Sequence, residues 1–330
     1  VKNPINNYNI IPYIGHYVNW TDTFMGEKGK LDLSYWTLDY DKEKAAIHFQ
    51  DVKKMLRAFE YWFGPYPFYE DGYKLVQAPH LGMEHQSSIA YGNKFRKGYL
   101  GRDLSNTGWG LKWDYIIVHE SGHEWFANNI TTNDIADMWV HEGFTTFSEA
   151  LFVDYYFGSN AANDYVVGVR KGIKNDIPII GKYNVKQEGS GDMYPKGANI
   201  LQTIRNSVHN DDLFRKCLRK LNEQFYHSTT TSNEVEKYIS DFLQFDYSTF
   251  FDQYLRTNKI PTLHYFFDES KQELYLQFKQ CIKGFSLPLF INNTNVVVDD
   301  HNVQTISLKG KNIQEVLNQI NENYYIKIEN

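Results

Sequence analysis

Ile116-Ile117-Val118-His119-Glu120-Ser121-Gly122-His123-Glu124-Trp125-Phe126 places two imidazoles four residues apart in a helical context. At that spacing both rings share a face and can reach one metal about 2.0–2.1 Å away, with Glu120 beside them to address a metal-activated water. In a chain of 330 residues with 11 His, His-Glu-x-x-His is expected roughly 0.02 times by chance. The pattern therefore reads as a zinc site rather than as a helix with two ordinary histidines.

Two imidazoles leave a catalytic zinc short of its usual three protein ligands. Glu142 is the candidate third. It lies 18 residues beyond His123, not counting the ends, within Trp139-Val140-His141-Glu142-Gly143-Phe144. The polar stretch Asn128 to Asp134 is turn-rich enough to fold a helix starting near Asp137 back beside the first. His141 points about 100° away from Glu142 on a helix and reads as an ordinary polar residue. Glu149, seven residues after Glu142 on the same face, reads as a surface carboxylate, the alternative being an acceptor for a zinc histidine.

Working outward, Leu31, Leu33 and Tyr35 alternate with polar neighbours, so residues 1–40 read as strands. They have few partners in their own segment and read as the end of a larger β domain. From Asp41, a plausible N-cap, Phe49, Val52, Leu56, Phe59 and Phe63 recur at helical spacing until Gly64-Pro65, predicting one amphipathic helix. Strands are expected near 73–78 and 87–91, with Gly82-Met83-Glu84 between them. Helices are expected over 111–129, 137–158, 160–175, 195–209, 211–225 and 233–244, the last with capping-box spacing at Thr231 and Glu234. After Pro261 the period changes to two, at Leu274, Leu276 and Phe278, with an apolar run from Val296 to Val298, predicting a C-terminal β module.

The residues Trp139 to Phe144 resemble the Trp-Leu-x-Glu-Gly-Phe block of zinc aminopeptidases of the aminopeptidase N type, a gluzincin family with thermolysin-like catalytic domains. The resemblance extends through Phe63-Gly64-Pro65-Tyr66-Pro67-Phe68 and covers the chain from about Tyr8 to Pro261. It implies an α+β fold: a small sheet, a mainly helical thermolysin-like catalytic domain over 41–260, and a small β module over 261–330. Residues 1–40 would be remnant strands of the family's N-terminal β domain, the start of the chain being truncated or processed. Leu81-Gly82-Met83-Glu84-His85-Gln86 is similar to the family's Gly-x-Met-Glu-Asn strand, whose glutamate binds the substrate's free α-amine. Gly82, Met83 and Glu84 are thereby implied as substrate-binding residues, while His85 stands where asparagine is usual. Tyr194-Pro195-Lys196-Gly197 looks like the family's Tyr-x-Lys-Gly segment and implies that the Tyr194 hydroxyl stabilises the oxyanion. Lys196 reads as a solvated side chain.

Together these residues imply a zinc-dependent aminopeptidase. One Zn²⁺ would be held by His119, His123 and Glu142, with Glu120 as the general base and Tyr194 as the oxyanion donor. An endopeptidase of the same fold, or a catalytically weak zinc-containing peptide-binding protein, is the alternative. The partner is a peptide with a free N-terminus. A formal net charge of -6 argues against nucleic acid, and no run approaches the ~18 apolar residues of a membrane span. No signal segment is evident, so the compartment is unread. Cys217 and Cys281 allow at most one bridge. Arg256 reads as a surface salt bridge, and His264 and His301 as structural or surface residues. Asn19, Asn129 and Asn292 head Asn-x-Thr triplets of no evident use.

Overall fold

The computed structural model describes residues 1–330. Strands β1 (Tyr17–Gly26) and β2 (Gly29–Leu38) form an antiparallel hairpin in which Leu31, Leu33, Tyr35 and Thr37 are buried and their neighbours are not. After α1 (Lys42–His48) and α2 (Asp51–Phe63), strands β3 (Tyr73–Gln77), β4 (Gly82–Met83) and β5 (Ile89–Tyr91) complete a five-stranded sheet in the order β1-β2-β3-β5-β4. Parallel pairing of β2 with β3 and of β3 with β5 leaves the short antiparallel β4 as an edge. An edge strand presents unpaired backbone groups to whatever lies beside it.

The single helix expected from Asp41 is two helices. The Asp41 carboxylate caps neither, accepting instead from Gln77 Nε2 (2.8 Å). Between the helices Phe49 turns its ring onto Trp20, Tyr35, Tyr91 and Phe95 over the sheet. Helix α2 instead buries Met55, Leu56 and Phe59. Two apolar faces with different partners cannot lie on one straight helix. Gly64, at φ +93°, ends α2 in a conformation that a side chain would strain.

Helix α3 (Tyr115–Gly122) is shorter than the expected 111–129. The Asp114 carboxylate accepts the Ile117 N–H (3.0 Å) and so fixes its start, and His123 is its C-cap, still in the right-handed helical region. There follow β6 (Ile130–Thr132), α4 (Trp139–Phe157), α5 (Ser159–Arg170), α6 (Pro195–Val208), α7 (Asp211–Gln224), β7 (Ser228–Thr230), α8 (Ser232–Leu243) and α9 (Ser248–Leu255). Helix α5 stops five residues before the expected end at 175; α8 carries the Thr231–Glu234 capping box. No helix is long and apolar enough to cross a membrane.

Beyond Pro261 come β8 (Thr262–Asp268), β9 (Glu273–Lys279), β10 (Ser286–Ile291), β11 (Thr294–Asp299), β12 (Gln304–Ser307), α10 (Ile313–Asn323) and β13 (Lys327–Glu329). They form a four-stranded sheet, β12-β9-β8-β13, and a β10–β11 hairpin. Helix α10 was not expected, although Ile313, Val316, Leu317 and Ile320 have helical spacing. The fold is α+β, and a single apolar core runs from Phe24 to Ile326.

Glycines set how closely the central helices approach. A methyl group on Gly197 in α6 would sit 2.6 Å from the Gly143 Cα in α4; one on Gly122 in α3 would sit 2.6 Å from Ser148 Oγ in α4. Helices α4 and α6 thus meet nearly backbone to backbone, and α3 packs on the Ser148 and Thr145 side chains of α4 with no room for a side chain at Gly122. Gly197→Ala is expected to destabilise the fold by about 1–3 kcal/mol through this overpacking. A melting temperature equal to wild type would show that the helices can separate freely.

Candidate active site

The close approach of α3 and α4 brings the predicted ligands together. Glu142 Oε2 lies 3.6 Å from His119 Nε2 and 3.3 Å from His123 Nε2, and the three donor atoms are within 4.8 Å of one another. These contacts are not aligned as hydrogen bonds, and Glu142 Oε2 is buried with no hydrogen-bond partner. An orphaned buried carboxylate oxygen is costly unless another positive partner meets it. Donors about 2.1 Å from a common centre in a tetrahedral array lie roughly 3.4 Å apart. Two imidazoles and a carboxylate at 3.3 and 3.6 Å therefore fit a zinc ion in both chemistry and spacing.

The far sides of both rings are also held. His119 Nδ1–H donates to Glu149 Oε1 (2.7 Å), whose other oxygen accepts from the Tyr165 hydroxyl (2.6 Å). His123 Nδ1–H donates to the Phe126 carbonyl (3.0 Å). With the Nδ1 atoms protonated by these acceptors, each Nε2 is presented towards Glu142. Glu149 is thus not the surface carboxylate of the sequence reading: it is buried, and the helix face it shares with Glu142 is turned inward against α3 and α5. His141 is buried away from Glu142's contacts, its Nε2 accepting the Thr132 N–H (3.0 Å); burial and His123 push its pKa down to about 4.

The electrostatics divide the two central carboxylates. Burial would raise the Glu142 pKa, but His123 and His119 outweigh it and hold the group well below the usual carboxylate range. Glu120 is pushed up to about 7: burial raises it, the two imidazoles partly offset this, and Glu84 and Glu142 add to it. A methyl group on Gly82 would lie 2.5 Å from Glu120 Oε1, so only glycine lets β4 pass directly against that carboxylate.

Glu84, just past β4, shares a neighbourhood with Glu120 and His123, their ligand atoms within 4.8 Å of one another. Its backbone carbonyl accepts from Asn128 Nδ2 (2.8 Å). Gly82 and Met83 pair with Tyr91 and Ala90, leaving the other side of β4 as the sheet edge. His85 is buried, and its Nδ1 is 2.7 Å from the Tyr13 hydroxyl.

Tyr194 immediately precedes α6, its ring stacked at 6.2 Å on His119 and about a third exposed. Burial and the charge of Glu142 raise its pKa, so the hydroxyl remains a donor. Two residues on, Lys196 overturns the solvated reading: it is fully buried, donates to the Thr257 carbonyl (3.3 Å), and burial lowers its pKa to about 8. The first turn of α6 lies against α4 at Gly143 and Gly197, which carries Lys196 into the interior.

Outside this cluster, Arg256 is paired with Glu236 (2.8 Å) and Asp252 (3.2 Å). His264 and His301 lie 3.6 and 3.3 Å from Glu329 and Asp300. Both cysteines are free, and Asn129 is buried. The sequence reading missed Glu124. Fully buried, it accepts the Ser87 N–H (2.8 Å) and the Tyr66 hydroxyl (3.0 Å), tying the end of α3 to the loop after Glu84. Burial pushes its pKa up to about 8. The one available signal was an acid set among apolar residues directly after His123.

The chain is similar to known proteins of one family. A family model described as peptidase family M1 domain matches residues 47–254. Aminopeptidase N of Lactobacillus helveticus is 25% identical over 242 residues, covering 66% of this chain and 27% of that protein. Leukotriene A-4 hydrolase of Xenopus laevis is 22% identical over 256 residues, covering 73% and 39%. The chain thus spans well under half the length of these curated relatives. Among solved structures, Legionella pneumophila aminopeptidase A in complex with aspartic acid superposes with a TM-score of 0.68 at 14% identity, covering 96% of this chain and 38% of that one. An M1 zinc metallopeptidase of Deinococcus radiodurans bound to a Tyr-ser-ala substrate gives 0.57 at 18% identity, covering 74% and 53%. At these identities the structural likeness is one of fold.

Removing the acceptor behind His119 should loosen the site without touching a ligand. Glu149→Ala is expected to weaken zinc affinity about 10–100-fold in a chelator competition titration. An unchanged affinity would show that Glu149 does not orient the imidazole.

Proposed function

The chain belongs to peptidase family M1, and from that premise we propose that it is a zinc-dependent aminopeptidase removing N-terminal residues from peptides. The observation that carries this reading is the gathering of Glu84, Glu120 and His123 within 4.8 Å beside the β4 edge. A carboxylate so close to the general base leaves room for little more than one residue's ammonium and α-carbon before the scissile bond. The reading is in keeping with the Tyr-ser-ala substrate and the aspartic acid bound by two proteins of the same fold.

His119, His123 and Glu142 would hold the zinc, which supplies Lewis-acid activation of water and of the scissile carbonyl. Glu120, with a pKa of about 7, takes a proton from the attacking water and returns it to the leaving amine. A base poised near neutrality serves both transfers, because neither protonation state is strongly favoured. The Tyr194 O–H donates to the carbonyl oxygen as negative charge develops there. Glu84 pairs with the substrate's α-ammonium and fixes the first peptide bond, while the β4 edge accepts the substrate backbone as an added strand.

The test compares an aminoacyl arylamide with its N-acetylated counterpart, using the zinc-loaded chain and its Glu120→Gln variant. The free amine is expected to be hydrolysed and the blocked one hardly at all. Glu120→Gln should keep its zinc and lose about 10²–10⁴-fold in kcat. Equal cleavage of both substrates would favour an endopeptidase, and a variant as fast as wild type would remove Glu120 from the mechanism.

A further inference from the structure

The segment before β1 lies across the loop that carries Glu84 and is fastened there by polar contacts. Gln86 Nε2 donates to the Pro4 carbonyl (2.9 Å), Asn9 Nδ2 donates to Asn128 Oδ1 (2.8 Å), and the Tyr13 hydroxyl meets His85 Nδ1 (2.7 Å). Gln86, Asn9, Asn128 and His85 are all buried. Asn128 is shared: its Nδ2 also holds the Glu84 carbonyl, so one amide fixes both this strap and the backbone at Glu84. The strap is therefore built into the site's wall rather than resting on its surface.

Between these fixings sits Tyr8. It remains 42% exposed, whereas its neighbour Asn9 is buried. Its hydroxyl lies 3.2 Å from Glu84 Oε1 and is the one side-chain hydrogen bond made to that carboxylate. A glutamate carboxylate turns freely about its last bond unless something holds it. A donor on one oxygen sets the plane of the group and leaves the second oxygen to accept from a substrate.

We propose that Tyr8 is a positioning residue for substrate recognition: its O–H clamps Glu84 Oε1 so that the other oxygen faces the α-ammonium of an incoming peptide. The inference rests on the aminopeptidase reading above and adds a residue from outside the Gly82–Glu84 stretch. Burial and the charge of Glu84 raise the Tyr8 pKa, so the hydroxyl donates throughout the working range. It thus occupies one lone pair on Glu84 Oε1, leaves Oε2 to the substrate, and adds no repulsion towards a cation. Pre-ordering the carboxylate lowers the entropy lost when the ammonium binds.

Tyr8→Phe keeps the ring and deletes the donor. With the aminoacyl arylamide, KM is expected to rise roughly tenfold, as for loss of a hydrogen bond to a charged group, with kcat within about twofold. A second readout avoids turnover: calorimetric binding of L-leucinamide to the metal-free chain should weaken by a similar factor in the variant, and N-acetyl-leucinamide should not distinguish the two proteins. If wild type prefers the free amine and Tyr8→Phe leaves KM and leucinamide binding unchanged, the positioning role is overturned and the aminopeptidase reading survives. A fall in kcat alone, or equal losses on free and blocked ligands, also overturns it by showing a merely structural role. If wild type itself ignores N-acetylation, the parent reading fails and this inference fails with it.

Discussion

Everything at this site depends on a carboxylate oxygen held in the protein interior between two imidazole nitrogens. Glu142 Oε2 is buried, lacks a hydrogen-bond partner, and sits within 3.6 Å of both His119 and His123. Left to themselves, three polar groups would not be gathered out of water. The backbone enforces it: Gly122 lets α3 close on α4, and Gly143 with Gly197 lets α4 close on α6. The same contacts fix where Tyr194 begins its helix. Glycine at Gly122 and Gly143 keeps α3 and α4, which carry the candidate ligands, close to their neighbours.

The division of labour between the carboxylates follows from their surroundings rather than their identity. Glu142 faces two imidazoles and stays ionised, as the proposed ligand role requires. Glu120 faces the backbone at Gly82, feels Glu84 and Glu142 beside it, and is poised near 7. Glu149, farther back, accepts from His119 and does no chemistry itself. In the proposed mechanism, three glutamates within thirty residues of sequence would thus take three roles by environment alone.

Much of this was legible in the sequence, and for identifiable reasons. The one-turn spacing of His119 and His123 survives in any helix that includes both, even one that ends at His123. Chain-order features such as the capping box of α8 and the alternation in β2 and β9 follow from local periodicity. What escaped was set by tertiary packing. The break at Phe49 reflects an aromatic cluster assembled from three strands of sheet and loop. The burial of Glu149, Lys196 and Glu124 depends on which helix faces meet, and periodicity cannot show that a polar residue on an inward face has found a partner. Helix α10 is one short amphipathic stretch within a region whose alternating strands dominate the local pattern.

If His119, His123 and Glu142 converge on one divalent cation, the ion's own coordination will report it. X-ray absorption at the zinc edge of the chain loaded with one equivalent of zinc reads that coordination. One tightly held ion is expected, bonded to two imidazole nitrogens and to oxygen donors at about 2.0–2.2 Å, with the tight site lost in Glu142→Ala. A shell of oxygens lacking the outer-ring scattering of imidazole, or a Glu142→Ala protein that binds zinc as wild type does, would contradict it.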